Sequence, residues 1–136
     1  MSQQSDADEE IERLIGEGRL RHEAWERGLE AGVLLGLSCG ECGYVTATPK
    51  AACPRCGSRE ISTTRLPTTG RVYTKTTVEV APEAHGGPYQ IALVDLGDAR
   101  VLGRIADGDR VEITDRVRFT DTYRYDGSLT PVFEPV

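Results

Sequence analysis

Four cysteines stand in two close pairs, Cys39 and Cys42 in the segment CGECG and Cys53 and Cys56 in the segment CPRCG, with ten residues between the pairs. A two-residue gap lets both sulfurs of a pair reach one ion about 2.3 Å away, and two such knuckles complete the tetrahedron that zinc prefers. The chemistry expected is therefore one structural Zn2+ held by Cys39, Cys42, Cys53 and Cys56. Each pair is followed by a glycine, Gly43 or Gly57, which allows a tight turn that can aim backbone N–H groups at the thiolates, and Pro54 stiffens the second turn. A dithiol redox pair needs only one such motif and usually an αβ context, and two disulfides are disfavoured in a reducing compartment. Four thiolates leave no open coordination position, and neither His22 nor His85 is spaced to replace a cysteine, so catalysis at this metal is not expected.

Other chemistry is sparse. No nucleophile elbow, phosphate loop, dinucleotide fingerprint or His-Glu-x-x-His motif occurs. His85, in the loop segment PEAHGGPYQ, and His22, on an exposed helix, read as solvated side chains, and Asp95, Asp107 and Asp109 fall where short carboxylates bond turn backbone. The chain has 22 acidic against 16 basic residues, a net charge of -6, which opposes bulk nucleic-acid binding. Its first twenty residues lack the pattern of a signal peptide and no segment has a membrane-spanning apolar run, so the expected location is the cytoplasm, with no membrane partner.

Three zones must position the cysteines. Residues 1–37, with nine acids and four bases, predict two short helices. The first has a capping box from Ser5 to Asp8 and apolar Ile11, Leu14 and Ile15. The second runs from Leu20 to Ala31, with Leu20, Ala24, Trp25, Gly28 and Leu29 on one side and Gly32 as its stop. Trp25 is a candidate partner-binding residue, with burial against its own domain as the alternative. Residues 38–66 make the rubredoxin-like ribbon.

Residues 67–136 read as a β-module of five strands: Arg71 to Val80, Tyr89 to Leu96, Arg100 to Ile105, one spanning residues 116–125, and Leu129 to Phe133, with turns at Gly97-Asp98 and Asp126-Gly127. Alternation places Val72, Thr74, Thr76, Val78 and Val80 on one face of the first strand. It also groups Val117, Phe119, Tyr123 and Tyr125 on one face of the fourth, and Pro131 and Pro135 suit an edge strand. Five short strands bury their faces most economically in a closed barrel, an OB-fold or an SH3-like barrel. The fold expected is thus mainly β with a helical N-terminus, a zinc ribbon followed by a five-stranded OB-fold barrel. On that barrel Lys75, Arg104, Arg116, Arg118 and Arg124 take outward positions. Tyr73, Lys75 and Arg104 are candidate ligand-binding residues for a phosphorylated ligand, a nucleic-acid strand or an acidic partner, the alternative being a mixed-charge solvated surface.

The order of parts, together with GLEAGVLLGLSCGECG, CPRCGS, TGRVYTKTTV, PYQIALVDL and PVFEP, resembles the zinc-ribbon OB-fold family filed as domain of unknown function 35. The chain departs from that family before Val117, where a commoner glycine-rich turn reads ITDRV. The resemblance implies a non-catalytic accessory subunit, not an enzyme, that binds a thiolase and contacts acyl-CoA. It implies a bridge to hydroxymethylglutaryl-CoA synthase, or partnership with a hydratase or aldolase of steroid side-chain degradation. The alternative from another class is an RNA or single-strand binding module, which the net acidity disfavours. A free-standing thioesterase has the least support.

Overall fold

Apolar residues at helical spacing and a following left-handed Gly32 set the lead-in, and period-two alternation sets the rest. The computed structural model describes residues 3–16, 20–78, 88–125 and 127–136. It divides into two compact units, Met1–Leu66 and Pro67–Val136. Glu79, Val80, His85 and Asp126, and the side chains of Ser5, Asp8 and Tyr125, lie outside the described residues.

In the first unit helix α1 spans Gln3–Gly16, beginning upstream of Ser5, and α2 spans His22–Glu30. Strands β1 (Leu34–Cys39), β2 (Val45–Thr46) and β3 (Ile61–Leu66) form an antiparallel sheet in the order β2-β1-β3. The helices and the ribbon, separate zones in composition, share one core: Ile11, Leu14, Leu20 and Ala24 pack against Leu35 and Leu37 of β1. Burying six such side chains gives the ribbon an apolar foundation that its cysteine segment alone lacks. Around it Arg27 pairs with Glu10 at 2.9 Å and Arg65 with Glu12 at 3.0 Å, both solvent-exposed ties worth little individually.

The second unit contains β4 (Thr69–Val78), β5 (Tyr89–Asp95), β6 (Arg100–Ile105), β7 (Arg116–Tyr125) and β8 (Ser128–Pro135). They close into a barrel in the order β4-β5-β6-β8-β7, with β7 returning to β4 at Thr69–Arg71 and a parallel β6·β8 pairing. This is the connectivity expected of a Greek-key OB-fold. Its core includes Val72, Ala92, Val94, Val101, Val117, Phe119 and Phe133.

Three expectations need correction. The last strand is no edge: β8 lies between β6 and β7, and Pro131 is tolerated because the parallel register with β6 occupies only Val132 and Phe133. A β-bulge leaves Tyr73 unpaired between Val72↔Val94 and Thr74↔Leu93, so the side chains beyond it change faces. Thr74 and Thr76 are exposed, while Lys75 and Thr77 stand opposite buried Ala92 and Gln90. A second bulge between Phe119 and Asp121 separates Tyr123 from the face of Val117 and Phe119.

Candidate metal centre and barrel surface

The ribbon turns bring all four cysteine Sγ atoms within 4.8 Å of one another. Cys39 lies 3.6 Å from Cys56, and Cys42 lies 3.6 Å from Cys53, so the shortest approaches cross between the knuckles. A tetrahedron of sulfurs about 2.3 Å from zinc has edges of about 3.8 Å, so the cluster has the size and donor set to hold Zn2+ without rearrangement of the fold. Cys39 and Cys53 are buried, whereas Cys42 and Cys56 face solvent.

The backbone supplies the electrostatics. N–H groups of Cys42 and then Glu41, with smaller help from the Cys56 and Cys42 side chains, hold the Cys39 thiol at about 6 against the opposing effect of burial. N–H donation from Cys56 and Arg55 likewise lowers Cys53. At Cys56 the Ser58 N–H works downward, but burial and the three neighbouring sulfurs push the thiol up to about 12. The glycines act as expected, by shaping the turn. Gly43 N–H bonds Cys39 O at 3.1 Å and Gly57 N–H bonds Cys53 O at 2.9 Å, so the glycines close the turns, at φ +77° and +79°, and their neighbours face the sulfurs. Bound zinc would carry the shared negative charge of these thiolates and staple the two knuckles together.

Trp25 is half-buried in its own unit. Its indole Nε1–H donates to Ala47 O at 3.0 Å and its ring stacks on His22, with centroids 5.9 Å apart. Because Ala47 lies between the two cysteine pairs, this bond ties α2 to the knuckle segment.

On the barrel the three candidate ligand residues stand apart. Tyr73, 49% exposed, lies under the Arg100 guanidinium at 3.7 Å from its ring centroid. Lys75 is half-buried with its Nζ 3.0 Å from Glu112 Oε2, because the bulge turned it from the outward position expected. Arg104, expected on an outward position as a candidate ligand contact, is only 4% exposed. It does occupy the outer face, opposite core-facing Gly103. Its guanidinium is sandwiched between Tyr89 and Tyr123, at 4.2 and 4.0 Å from the ring centroids, and reaches Asp107 at 3.0 Å. Two π-faces and a carboxylate offset the cost of desolvating the charge. Tyr73, Tyr89 and Tyr123 thus each already carry a guanidinium.

Sequence reasoning missed two further features. Gln90 is buried in β5, where its Nε2 donates to Thr77 Oγ1 at 3.1 Å and its Oε1 accepts Val111 N–H at 2.9 Å. Arg71 and Arg116 stand directly opposite each other across β4 and β7, a pairing that only the register reveals.

Comparison with known proteins agrees with this architecture. The rubredoxin-like zinc ribbon domain of ChsH2 matches residues 27–62, and the C-terminal OB-fold domain of ChsH2 matches residues 63–120, so the matched region is continuous. The chain belongs to the DUF35/ChsH2 zinc-ribbon OB-fold family. A DUF35 domain-containing scaffold protein of Methanocaldococcus jannaschii is 35% identical over 88 residues. That match spans 62% of this chain and 62% of the archaeal protein, less than two thirds of its length. The structure of an Ltp2-ChsH2(DUF35) aldolase superposes with a TM-score of 0.68 at 29% identity, covering 85% of this chain and 95% of the other. A DUF35-family protein of unknown function from Sulfolobus solfataricus superposes with a TM-score of 0.64 at 16% identity, over 84% of each chain, a likeness of fold alone.

The aldolase overturns one expectation. The chain was expected not to be an enzyme, on the absence of a catalytic motif and the closed metal site. Yet the structure it matches over most of its length is that of an Ltp2-ChsH2(DUF35) aldolase, so the expectation of a non-enzyme does not stand. Motif searching misses a catalytic role when the reacting groups do not form a local sequence pattern. Among the described residues no helix is long and apolar enough to cross a membrane.

Proposed function

We propose that this chain is a working component of an aldolase-type assembly acting on acyl-CoA thioesters in the cytoplasm. The observation that carries the reading is its likeness to the Ltp2-ChsH2(DUF35) aldolase over 85% of its length. The scaffold-protein relative supports the same picture, in which a member of this family forms part of an enzyme assembly. The partner is a thiolase-type enzyme. Hydroxymethylglutaryl-CoA synthase or a hydratase would take that place in a related assembly, as the family resemblance implies.

Two surfaces support an assembled state. The outer face of β6 presents Arg100 against Tyr73, then Leu102 at 59% exposure, then Arg104 against Tyr89 and Tyr123. Arginine and tyrosine are enriched at the centre of protein interfaces. The cysteine knuckles, which zinc would close and the Trp25–Ala47 bond ties to α2, offer a second surface.

The test is to co-express the chain with a thiolase-type enzyme of the same organism and to follow cleavage of a β-hydroxyacyl-CoA into a carbonyl product and a shortened thioester. Expected are a stoichiometric complex and a cleavage rate that neither protein gives alone. A partner that turns over equally well without this chain, or a failure to co-purify, would overturn the proposal.

A further inference from the structure

Beside the β5–β6 turn the barrel has an open cavity of about 430 Å³, lined by Thr69, Arg71, Asp95, Gly97 and Arg116 among others. Arg71 and Arg116 are Cα partners in the antiparallel β4·β7 pair and both are exposed, so their like charges face outward side by side. Directly opposed like charges destabilise a sheet unless something lies between them. Arg71 also stands opposite Asp95 across β4·β5, but that carboxylate pairs with Arg100, and among the described residues neither Arg71 nor Arg116 forms an ion pair.

One of the two is also held in place. Arg71 Nη1 donates to Thr114 O at 3.1 Å, and Thr114 adopts a left-handed backbone at φ 78°, a conformation costly for a β-branched residue. Its N–H bonds Val72 O at 2.8 Å, so the turn that orients Arg71 is fixed at both ends. Strained backbone that positions a charged group is a feature of ligand sites. Asp95 borders the same cavity. Its Oδ1 accepts Gly97 N–H at 2.8 Å and its Oδ2 lies 3.9 Å from Arg100 Nε, which leaves a carboxylate edge able to accept from a ligand hydroxyl.

We propose that this cavity binds the phosphate monoester of a small hydroxylated molecule, a sugar or ribose phosphate. Arg71 and Arg116 take the phosphate oxygens as paired guanidinium forks, and Asp95 accepts from a hydroxyl beside the phosphate. A dianion between the guanidiniums removes their repulsion, and the arginine fork matches phosphate geometry where a lysine would not. Asp95 penalises a bare anion, so the ester is preferred to inorganic phosphate. The site goes beyond the aldolase reading and does not rest on it.

The full zinc-loaded chain is titrated with ribose 5-phosphate and, separately, with inorganic phosphate at low ionic strength, following backbone amides by NMR. Expected are shifts centred on Gly70, Leu96 and Gly97, with tighter binding of the ester. Arg71→Gln and Arg116→Gln each weaken it about tenfold or more, and Arg116→Lys gives an intermediate loss. The same spectra report whether each variant is folded. Shifts scattered over the chain, affinity unchanged in either Gln variant, or inorganic phosphate binding as tightly as the ester would overturn the assignment. Co-purification with a thiolase-type enzyme is a separate readout, so either proposal can fail alone.

Discussion

Barrel closure can be tested at one atom. A Cβ placed on Gly103 would lie 2.6 Å from both Cδ1 and Cε1 of Phe133 and 3.0 Å from Pro131 O. Carbon–carbon contacts are optimal near 3.5–4.0 Å, so Gly103→Ala demands about 1 Å of movement. Phe133 is fully buried and its ring meets Phe119 with centroids 6.1 Å apart, so it has nowhere to retreat. The strain falls on the parallel β6·β8 pairing, the contact that closes the barrel. Overpacking of this kind costs about 1–3 kcal/mol. A unit of this size loses roughly 4–8 °C of midpoint per kcal/mol, so a drop of about 10 °C is expected. With Tyr44 replaced by Phe, the four remaining tyrosines, Tyr73, Tyr89, Tyr123 and Tyr125, report the barrel by near-UV circular dichroism, and the fluorescence of the single tryptophan, Trp25, follows the other unit separately. Phe133→Leu frees space beneath Gly103, so the double variant should be more stable than the sum of the two singles by about 0.5–3 kcal/mol. An unchanged midpoint for Gly103→Ala, or strict additivity in the double variant, would refute the packing argument.

Thr114→Gly should stabilise the barrel by about 0.5–1 kcal/mol, because glycine removes a left-handed penalty of about 1–2 kcal/mol and returns part of it as unfolded-chain entropy. A lower midpoint in thermal unfolding would contradict that. Stripping zinc with a chelator should redshift Trp25 emission, since the Trp25–Ala47 bond depends on the knuckle segment, while the tyrosine signal of the barrel stays. Full metal loss with unchanged emission would show that the knuckles stand without the ion. Acid should release the metal as well. The Cys39 thiol is depressed to about 6, so its contribution is fully present above the ordinary thiol range and is lost as pH falls through about 6. Because all four sulfurs must be deprotonated to hold the ion, zinc content measured after dialysis should fall as the pH is lowered, and full retention of the metal in strong acid would contradict this.

The metal site was legible because its chemistry is local. Two knuckles place four sulfurs by short spacing alone, and no distant residue has to be known. The five strands were legible for a similar reason, since period-two alternation and the Gly97-Asp98 turn are written within a few residues. What could not be read is what depends on register. A single unpaired residue at each bulge carries every later side chain to the opposite face, and nothing in TGRVYTKTTV or RVRFTDTYRY announces it. Lys75 and Tyr123 were misplaced for that reason. The burial of Arg104 was hidden for another reason: a guanidinium is ordinarily solvated, and covering it requires two tyrosines from other strands that sequence spacing does not connect. The shared core of helices and ribbon was likewise hidden, because either an intramolecular face or a partner could have covered the apolar side of α2.

The two bulges have a common consequence at β6. One leaves Tyr73 unpaired and places its ring against Arg100; the other turns Tyr123 outward onto Arg104. Both arginines belong to the same outer face of β6, with Leu102 between them. Without the second bulge Tyr123 would follow Val117 and Phe119 inward, and the guanidinium of Arg104 would lose one of its two rings. A bulge interrupts ladder hydrogen bonds and is not free, so two that both serve the same strand face argue that this face is built for a purpose beyond closing the barrel. The closed zinc site fixes the ribbon, but its four sulfurs leave no place for substrate. In the proposed assembly, contact with the partner enzyme therefore falls to surfaces such as this one, whose side chains were set by register and whose rigidity comes from buried charge.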